Sequence, residues 1–276
     1  MEALTSGLAD GGQASILAGG TDLIVLLRGH LVVPSKVVDI KGVEELLRLD
    51  HAADGAVTIG ATVSMNRVID DQRMPKALAG LREACLWVAT YAIRNRATIA
   101  GNVANASPVA DTVPTLCVLC AEVELRSHRG SRRVPVAKFI KGVRVIDRQP
   151  DEVVAAIHVP SWPKATRTFF RKRQRVRGHD LALTNASILH DPDGKRLRLA
   201  IGACTPAPVV VDLDDLFARP DAEEAARRAV AAISPISDVR SSAEYRRDMT
   251  AVLVRRLFAD ISTIPPQAGR GHAPSA

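Results

Sequence analysis

Two stretches of this chain place glycines, small side chains and short polar side chains where a bulky anion could be held. The first is Ser15-Ile16-Leu17-Ala18-Gly19-Gly20-Thr21-Asp22-Leu23-Ile24. Ile16 to Ala18 reads as a buried strand, the two glycines end it, and the apolar segment Leu23 to Leu27 that follows stops at Gly29. In a strand, Gly-Gly, helix arrangement the glycines let backbone N–H groups approach an anion, and unpaired N–H groups at the helix start add partial positive charge. A tight strand-to-helix turn would use the same residues. The second stretch runs from Ile93 to Thr112 and holds Thr98-Ile99-Ala100-Gly101-Asn102 and Ala106-Ser107-Pro108-Val109-Ala110-Asp111. Its composition predicts neither a good helix nor a regular strand, and its small residues and side-chain amides suit close packing on a polar ligand. Pro108 is placed to open the next helix, with Ser107 as cap and Asp111 in the first turn. A purely structural loop is the alternative.

Other candidates for chemistry are weaker. Cys117-Val118-Leu119-Cys120 has the spacing of a metal or redox pair, but it lacks a second pair and sits in an apolar run, so buried cysteines on a helix are expected. The histidines, at positions 30, 51, 128, 158, 179, 190 and 272, show no ligand spacing. No paired carboxylates and no Ser/His/Asp set emerge. Arg171-Lys172-Arg173-Gln174-Arg175-Val176-Arg177 is the one basic cluster; net charge is +7, but aromatics make up only 3% of the 276 residues. A solvated basic face or anion-binding edge therefore fits better than a nucleic-acid module. With no signal peptide and no apolar run near the ~20 residues of a membrane span, a reduced cytoplasmic protein is expected.

The elements that must position the two stretches can be read in order. Met1 to Asp10 reads as a helix end closed by Gly11-Gly12, and Lys36 to Ile40 as a second strand completing a parallel βαβ unit. Leu46 to His51 and Ala56 to Ala61 flank the turn signal Asp54-Gly55. Pro75 to Tyr91 has helical periodicity through Leu78, Leu81, Cys85 and Val88. Ala121 to Arg126 and Arg132 to Val136 read as a hairpin, Asp151 to Pro160 as a strand, and Ser161 to Lys164 as a boundary. Strands are then expected at Thr166 to Gln174, Leu181 to His190 and Leu197 to Ala203. Amphipathic helices follow at Asp221 to Ile233 and Ser242 to Ile261, the latter burying Met249, Val252, Leu253, Leu257 and Phe258. Ile264 to Ala276 is expected to be a disordered tail.

Taken together, Ile16 to Leu23, Thr98 to Asn102 and Ala106 to Asp111 resemble the paired FAD motifs of the molybdenum hydroxylase flavoproteins, the medium subunits of the xanthine dehydrogenase and carbon monoxide dehydrogenase family. The likeness extends to Val37-Val38-Asp39-Ile40, Thr58-Ile59-Gly60-Ala61 and Ser242-Ala243-Glu244-Tyr245-Arg246. It implies an α+β chain: a two-subdomain FAD-binding fold of the PCMH type over 1–162 (subdomains about 1–54 and 55–162), then a small antiparallel sheet-plus-helices domain over 163–263. It also implies roles. Leu17, Ala18, Gly19, Gly20, Thr21, Asp22 and Leu23 would wrap the pyrophosphate of a non-covalent FAD. Thr98, Ala100, Gly101 and Asn102 would approach the phosphates and ribityl chain, and Ser107 and Asp111 the ribityl or flavin end. Lys172 would lie near the flavin, with Asp180 at the usual distance beyond it; as one of the five basic residues from Arg171 to Arg177 it could equally be a solvated charge. Three departures stand out: Ala100 in place of a second glycine, no certain flavin-covering aromatic among Trp87, Val88, Thr90 and Tyr91, and a short N-terminus. The implied function is electron transfer, from the iron–sulfur clusters of a small subunit through FAD to an external acceptor, while a large molybdenum-cofactor subunit oxidises the substrate in a dimer of heterotrimers. A flavin-free scaffold subunit of the same complex is the second reading. A stand-alone oxidase of the vanillyl-alcohol type is the third, and it would need a substrate pocket with a base that the sequence does not display.

Overall fold

A computed structural model describes residues 14–176 and 178–264. The expectations for Met1 to Gly12 and for the tail beyond 264 lie outside the described residues. Strand β1 (Ala14–Leu17) pairs in parallel with β2 (Lys36–Asp39), Ala14 opposite Lys36 and Leu17 opposite Asp39. The crossover between them carries helix α1 (Leu23–Arg28), so the expected βαβ unit forms. Strands β3 (Leu49–His51) and β4 (Val57–Gly60) follow as the expected hairpin, turned at Asp54-Gly55.

Five short helices come next: α2 (Met65–Asp70), α3 (Ala79–Leu86), α4 (Tyr91–Arg94), α5 (Ile99–Ala104) and α6 (Thr112–Val118). The chain then forms β5 (Glu122–Ser127), β6 (Gly130–Pro135), α7 (Val136–Phe139), the small pair β7 (Ile140–Gly142) and β8 (Val145–Ile146), and β9 (Val153–Val159). These strands build an antiparallel sheet in the order β3-β4-β9-β5-β6. A second antiparallel sheet has the order β10-β11-β12-β13, from β10 (Arg167–Arg173), β11 (Thr184–Asp191), β12 (Arg196–Gly202) and β13 (Val209–Asp212). Helices α8 (Ala222–Ala231) and α9 (Ala243–Ser262) close the described chain.

The second sheet is covered on both faces. Ala186, Ile188, Leu199 and Ile201 pack with Val254, Leu257 and Phe258 of α9, whereas Leu189 and Ala200 belong to the core built around the first sheet. Alternation along β11 therefore sends Asn185, Ser187 and Leu189 toward α6, where the Thr115 hydroxyl donates to Ser187 Oγ at 3.0 Å. Every β11 residue except His190 is buried, as a two-sided strand requires.

Several expectations need correction. The helix expected over Pro75 to Tyr91 stops at Leu86; Ala89 takes φ +40° and α4 starts afresh at Tyr91. The break is held by Arg94, whose Nη1 donates to the carbonyls of Leu86, Val88 and Ala89 at 3.3, 3.0 and 2.8 Å. Ile93 to Thr112 does contain a helix, α5, because Ile99, Ala100 and Val103 are buried in the core and the Thr98 hydroxyl caps it by accepting from Gly101 N at 2.9 Å. Helix α6 begins at Thr112 with Asp111 at its N-cap position, not at Pro108. The buried stripe of α9 is Arg246, Thr250, Leu253, Val254, Leu257 and Phe258; Met249 and Val252 are only half-buried. Arg246 is accommodated because its guanidinium donates to the Leu183 carbonyl at 2.6 Å and to Asp238 at 2.9 Å. Helix α2 and strands β7, β8 and β13 were not legible, being short and without a period of their own. Cys117 is buried on α6 as expected, its thiol pushed up to about 12 by burial. Cys120 lies past the helix end at φ +54°, half-buried against the Arg198 guanidinium.

The lead into β9 is pinned by Glu152, whose side chain is 6% exposed and grips Arg132 of β6 through Nε at 2.7 Å and Nη2 at 2.9 Å. The Arg132 bonds, with Gln149 N–H at 2.7 Å, hold this carboxyl below its ordinary value near 4.5. A depressed carboxyl contributes stability above its unfolded pKa, and that contribution is lost as pH falls through the folded value. Glu152→Gln is expected to cost about 1–2 kcal/mol at pH 7. It should also flatten the fall in stability below pH 5, read as urea midpoints of both proteins across the acid range; identical acid limbs would show that Glu152 is not part of this dependence.

Candidate functional site

A cavity of 740 Å³ lies where the βαβ unit, helices α3 to α6, the approach to β9 and the end of β10 meet. This volume is within the range of small-molecule and cofactor sites. Of the residues singled out in the sequence, Ala18, Gly19, Gly20, Thr21, Asp22, Leu23, Thr98, Ala100, Gly101, Asn102, Ser107, Asp111 and Lys172 all line it, as does Asp180. Leu17 does not. It ends β1, and its side chain packs beneath Gly20, where an added Cβ would lie 2.9 Å from Leu17 Cδ1.

The two glycines of the first turn serve different ends. Gly20 takes φ +78°, which turns the chain from β1 toward α1. Gly19 packs on the backbone of Arg96 and Ala97, so close that a Cβ would sit 2.0 Å from the Arg96 carbonyl oxygen. Its lack of a side chain thus seats the βαβ unit against the segment leading into α5. With only six residues α1 has a small macrodipole, so what the turn offers an anion is chiefly the N–H groups that a helix start leaves unpaired. The second turn spends some of its groups internally. Thr98 Oγ1 accepts from Gly101 N–H, and Asn102 Oδ1 accepts from the Thr112 hydroxyl at 2.7 Å. Thr98, Asn102 and Ser107 line the cavity, and their side-chain donors meet no acceptor among the described residues. Ala100 is a buried residue of α5. Across the opening, Asn105 Nδ2 donates to Asp22 Oδ1 at 3.1 Å and joins the two turns.

At another wall, β10 meets α6. Lys172 lies opposite Asn185 in the β10–β11 register, and both point toward the start of α6. Lys172 Nζ donates to Asp111 Oδ2 at 2.6 Å and to the Trp87 carbonyl at 3.4 Å, while Asn185 Nδ2 donates to Asp111 Oδ1 at 3.0 Å. The Lys172 side chain is 2% exposed and that of Asp111 8%. Lys172 is therefore neither a solvated charge nor an isolated cation. Burial pushes the Asp111 carboxyl above the usual carboxylate range, against the pull of Lys172 and Asn185. Gly202 leaves the room for Asn185, since a Cβ there would lie 2.4 Å from Asn185 Oδ1. Trp87, Val88 and Ala89 line the cavity beside this pair; Tyr91 is 62% exposed and does not. Asp180, gripped by Arg175 at 3.2 Å, lines the cavity together with His179 and Leu181. Sequence reasoning missed Met65, Ile146, Arg148, Val153 and Val154 on its walls. The two valines sit in an apolar strand like any other, and a lone arginine in a loop has no spacing to mark it.

The residues present fit a dinucleotide cofactor: two turns face one cavity, with unspent side-chain donors beside them and a neutralised ion pair at a wall. Comparison with known proteins agrees. Residues 1–162 match the family described as FAD binding domain in molybdopterin dehydrogenase, and residues 168–261 the CO dehydrogenase flavoprotein C-terminal domain. The chain is 29% identical to the putative xanthine dehydrogenase FAD-binding subunit of Escherichia coli (strain K12), covering 92% of this chain and 90% of that one. It is 31% identical to the 6-hydroxypseudooxynicotine dehydrogenase complex subunit alpha of Paenarthrobacter nicotinovorans, over 91% and 88%. The crystal structure of the Cu,Mo-CO dehydrogenase contains a chain that superposes with a TM-score of 0.85 at 26% identity, over 93% and 92%. The protein belongs to the FAD-binding medium-subunit family of the molybdenum hydroxylases, an oxidoreductase family whose cofactor is FAD.

Two outcomes test this geometry. Gly19→Ala is expected to lose about 1–3 kcal/mol through its collision with the Arg96 carbonyl, whereas Gly42→Ala, with nothing within 4 Å, should stay close to wild type in a thermal melt. Asp111→Asn strands a buried ammonium and should cost about 3–5 kcal/mol, much of it recovered in Asp111→Asn/Lys172→Met. Strictly additive losses in that urea-unfolding cycle would mean that the two side chains do not act as a pair.

Proposed function

We propose that this chain is the electron-transfer subunit of a multi-subunit molybdenum hydroxylase, taking electrons from iron–sulfur clusters of a small partner subunit and delivering them to an external acceptor. Substrate oxidation would fall to a large molybdenum-cofactor subunit, in a cytoplasmic dimer of heterotrimers. The observation that carries the reading is that both glycine turns, far apart in sequence, face one cavity that also reaches the buried Lys172–Asp111 pair. Residues 1–162 would form the cofactor domain, with subdomains about 1–54 and 55–162, and 163–263 the C-terminal domain that contributes Lys172.

Bound FAD supplies a centre that accepts and releases electrons, a capacity the side chains lack. The chain's own residues bind and tune. Backbone N–H groups of the turn from Ala18 to Leu23 would meet the diphosphate, with Leu17 supporting the turn from behind. Thr98, Asn102 and Ser107 would donate from the facing turn, where Ala100 and Gly101 keep the wall low. Asp111 would hold Lys172 in place, and its negative charge would temper the cation's pull on the cofactor's electrons. Trp87, Val88 and Ala89 would keep water from that wall, a role that depends on Arg94 fixing the Val88 and Ala89 carbonyls.

The test is an absorbance spectrum of the purified chain before and after acid precipitation. Stoichiometric flavin released into the supernatant is the expected result. Flavin left in the pellet would mean a covalent link, and a protein that stays colourless after incubation with FAD would overturn the reading in favour of a scaffold.

A further inference from the structure

Among the described residues, Lys172 and Arg148 are the lysine and arginine that line the cavity, and only Lys172 has an anionic partner. Arg148 lies in the loop between β8 and β9. Its Nη1 donates to the carbonyls of Gln149, Pro150 and Glu152 at 3.1, 3.3 and 2.7 Å, while Nε and Nη2 meet no acceptor among the described residues. The carboxylates whose fields reach it are committed elsewhere: Glu152 to Arg132, and Asp151 to Arg129 at 2.8 and 3.0 Å. Of the acidic residues on the cavity wall, Asp111 and Asp180 are answered by Lys172 and Arg175, and Asp22 accepts from Asn105 Nδ2. The wall thus presents one cation with half of its guanidinium unspent.

The position of Arg148 favours one half of the cofactor. Arg144 N–H donates to the Ala106 carbonyl at 3.0 Å, and Arg144 Nη1 donates to Asn105 Oδ1 at 3.1 Å. Asn105 in turn donates to Asp22. The segment leading to Arg148 therefore departs from the end of α5 beside the Asp22 turn, whereas Lys172 is tied to Asp111 and Trp87. A planar guanidinium matches phosphate oxygens two at a time, and three backbone carbonyls already orient this one, so little side-chain freedom is left to lose on binding.

We infer that Arg148 is a further cofactor-binding residue, whose Nε and Nη2 hold the ADP half of FAD by pairing with its diphosphate. The inference rests on the FAD reading above and adds a specificity: the site discriminates for the dinucleotide through a residue that riboflavin would not engage.

The test uses the full chain stripped of flavin. In wild type, saturating FAD and saturating ADP should each protect Arg148 from phenylglyoxal, read by mass spectrometry of the Arg148 peptide, and riboflavin should not. Arg148→Leu should weaken FAD and ADP by the same factor, about tenfold to a hundredfold, measured by calorimetry. Arg148→Lys, which keeps the charge without the fork, should fall between. Unprotected Arg148 in FAD-saturated wild type would overturn the inference even if Arg148→Leu failed to fold. So would FAD and ADP affinities within twofold of wild type, or a loss confined to FAD. A wild-type chain that takes up neither FAD nor ADP would instead overturn the reading on which the inference stands.

Discussion

The contact on which the site depends is the buried ion pair between Lys172 and Asp111. It joins a strand of the second sheet to the first residue before α6, across the surface where the two sheet layers meet. Two charges withdrawn from water attract strongly, but their desolvation nearly cancels that attraction, so the pair is better understood as a constraint than as a source of stability. Each partner is intolerable alone at such burial. Sheet and helix must therefore meet in the one register that places Nζ on Oδ2, and Asn185 takes the second carboxylate oxygen and fixes the carboxylate's rotation.

The cavity follows from that seating together with a second one. The βαβ unit rests on the segment before α5 through the bare Cα of Gly19, and the Asn105–Asp22 bond ties the two turns across the opening. Between these contacts the chain cannot close the space, since its walls are short helices with small residues and turns held open by their own hydrogen bonds. The break after α3 is an example. Arg94 takes up three carbonyls that a continuing helix would have used, and Asn66, only 4% exposed, accepts from Arg94 Nε and donates to the Tyr91 carbonyl. A loop built this way keeps its shape without a ligand, which lowers the ordering cost of binding one.

Charge is distributed with similar economy. The net charge of +7 is broad, but within the cavity wall Lys172 is matched by Asp111 and Arg148 is held by backbone carbonyls. Most arginines near the site act on backbone carbonyls or on carboxylates that shape loops, as Arg94, Arg132 and Arg175 do. The basic residues Arg171 to Arg173 accordingly do not form one face. Arg171 pairs with Asp260 of α9, Lys172 with Asp111, and Arg173 donates to the Tyr245 hydroxyl at 2.7 Å.

Much of this was legible in the amino-acid sequence, for local reasons. Alternation and turn residues marked β1, β2, the β3–β4 and β5–β6 hairpins and β10 to β12, and amphipathic spacing marked α8 and α9. The two glycine-bearing stretches gave the site because turns of that kind need small residues whatever surrounds them. Tertiary structure alone decided the rest. A helix formed from Ile99 to Ala104 because burial outweighed a poor local preference, and another stopped at Leu86 because a distant asparagine and arginine reorganised its end. Lys172 found Asp111 through a pairing between residues 61 positions apart, and Arg148 reached the cavity through the packing of its loop. No periodicity encodes such meetings: a side chain's partner is set by which layers pack together, and that is fixed only when the whole core is buried.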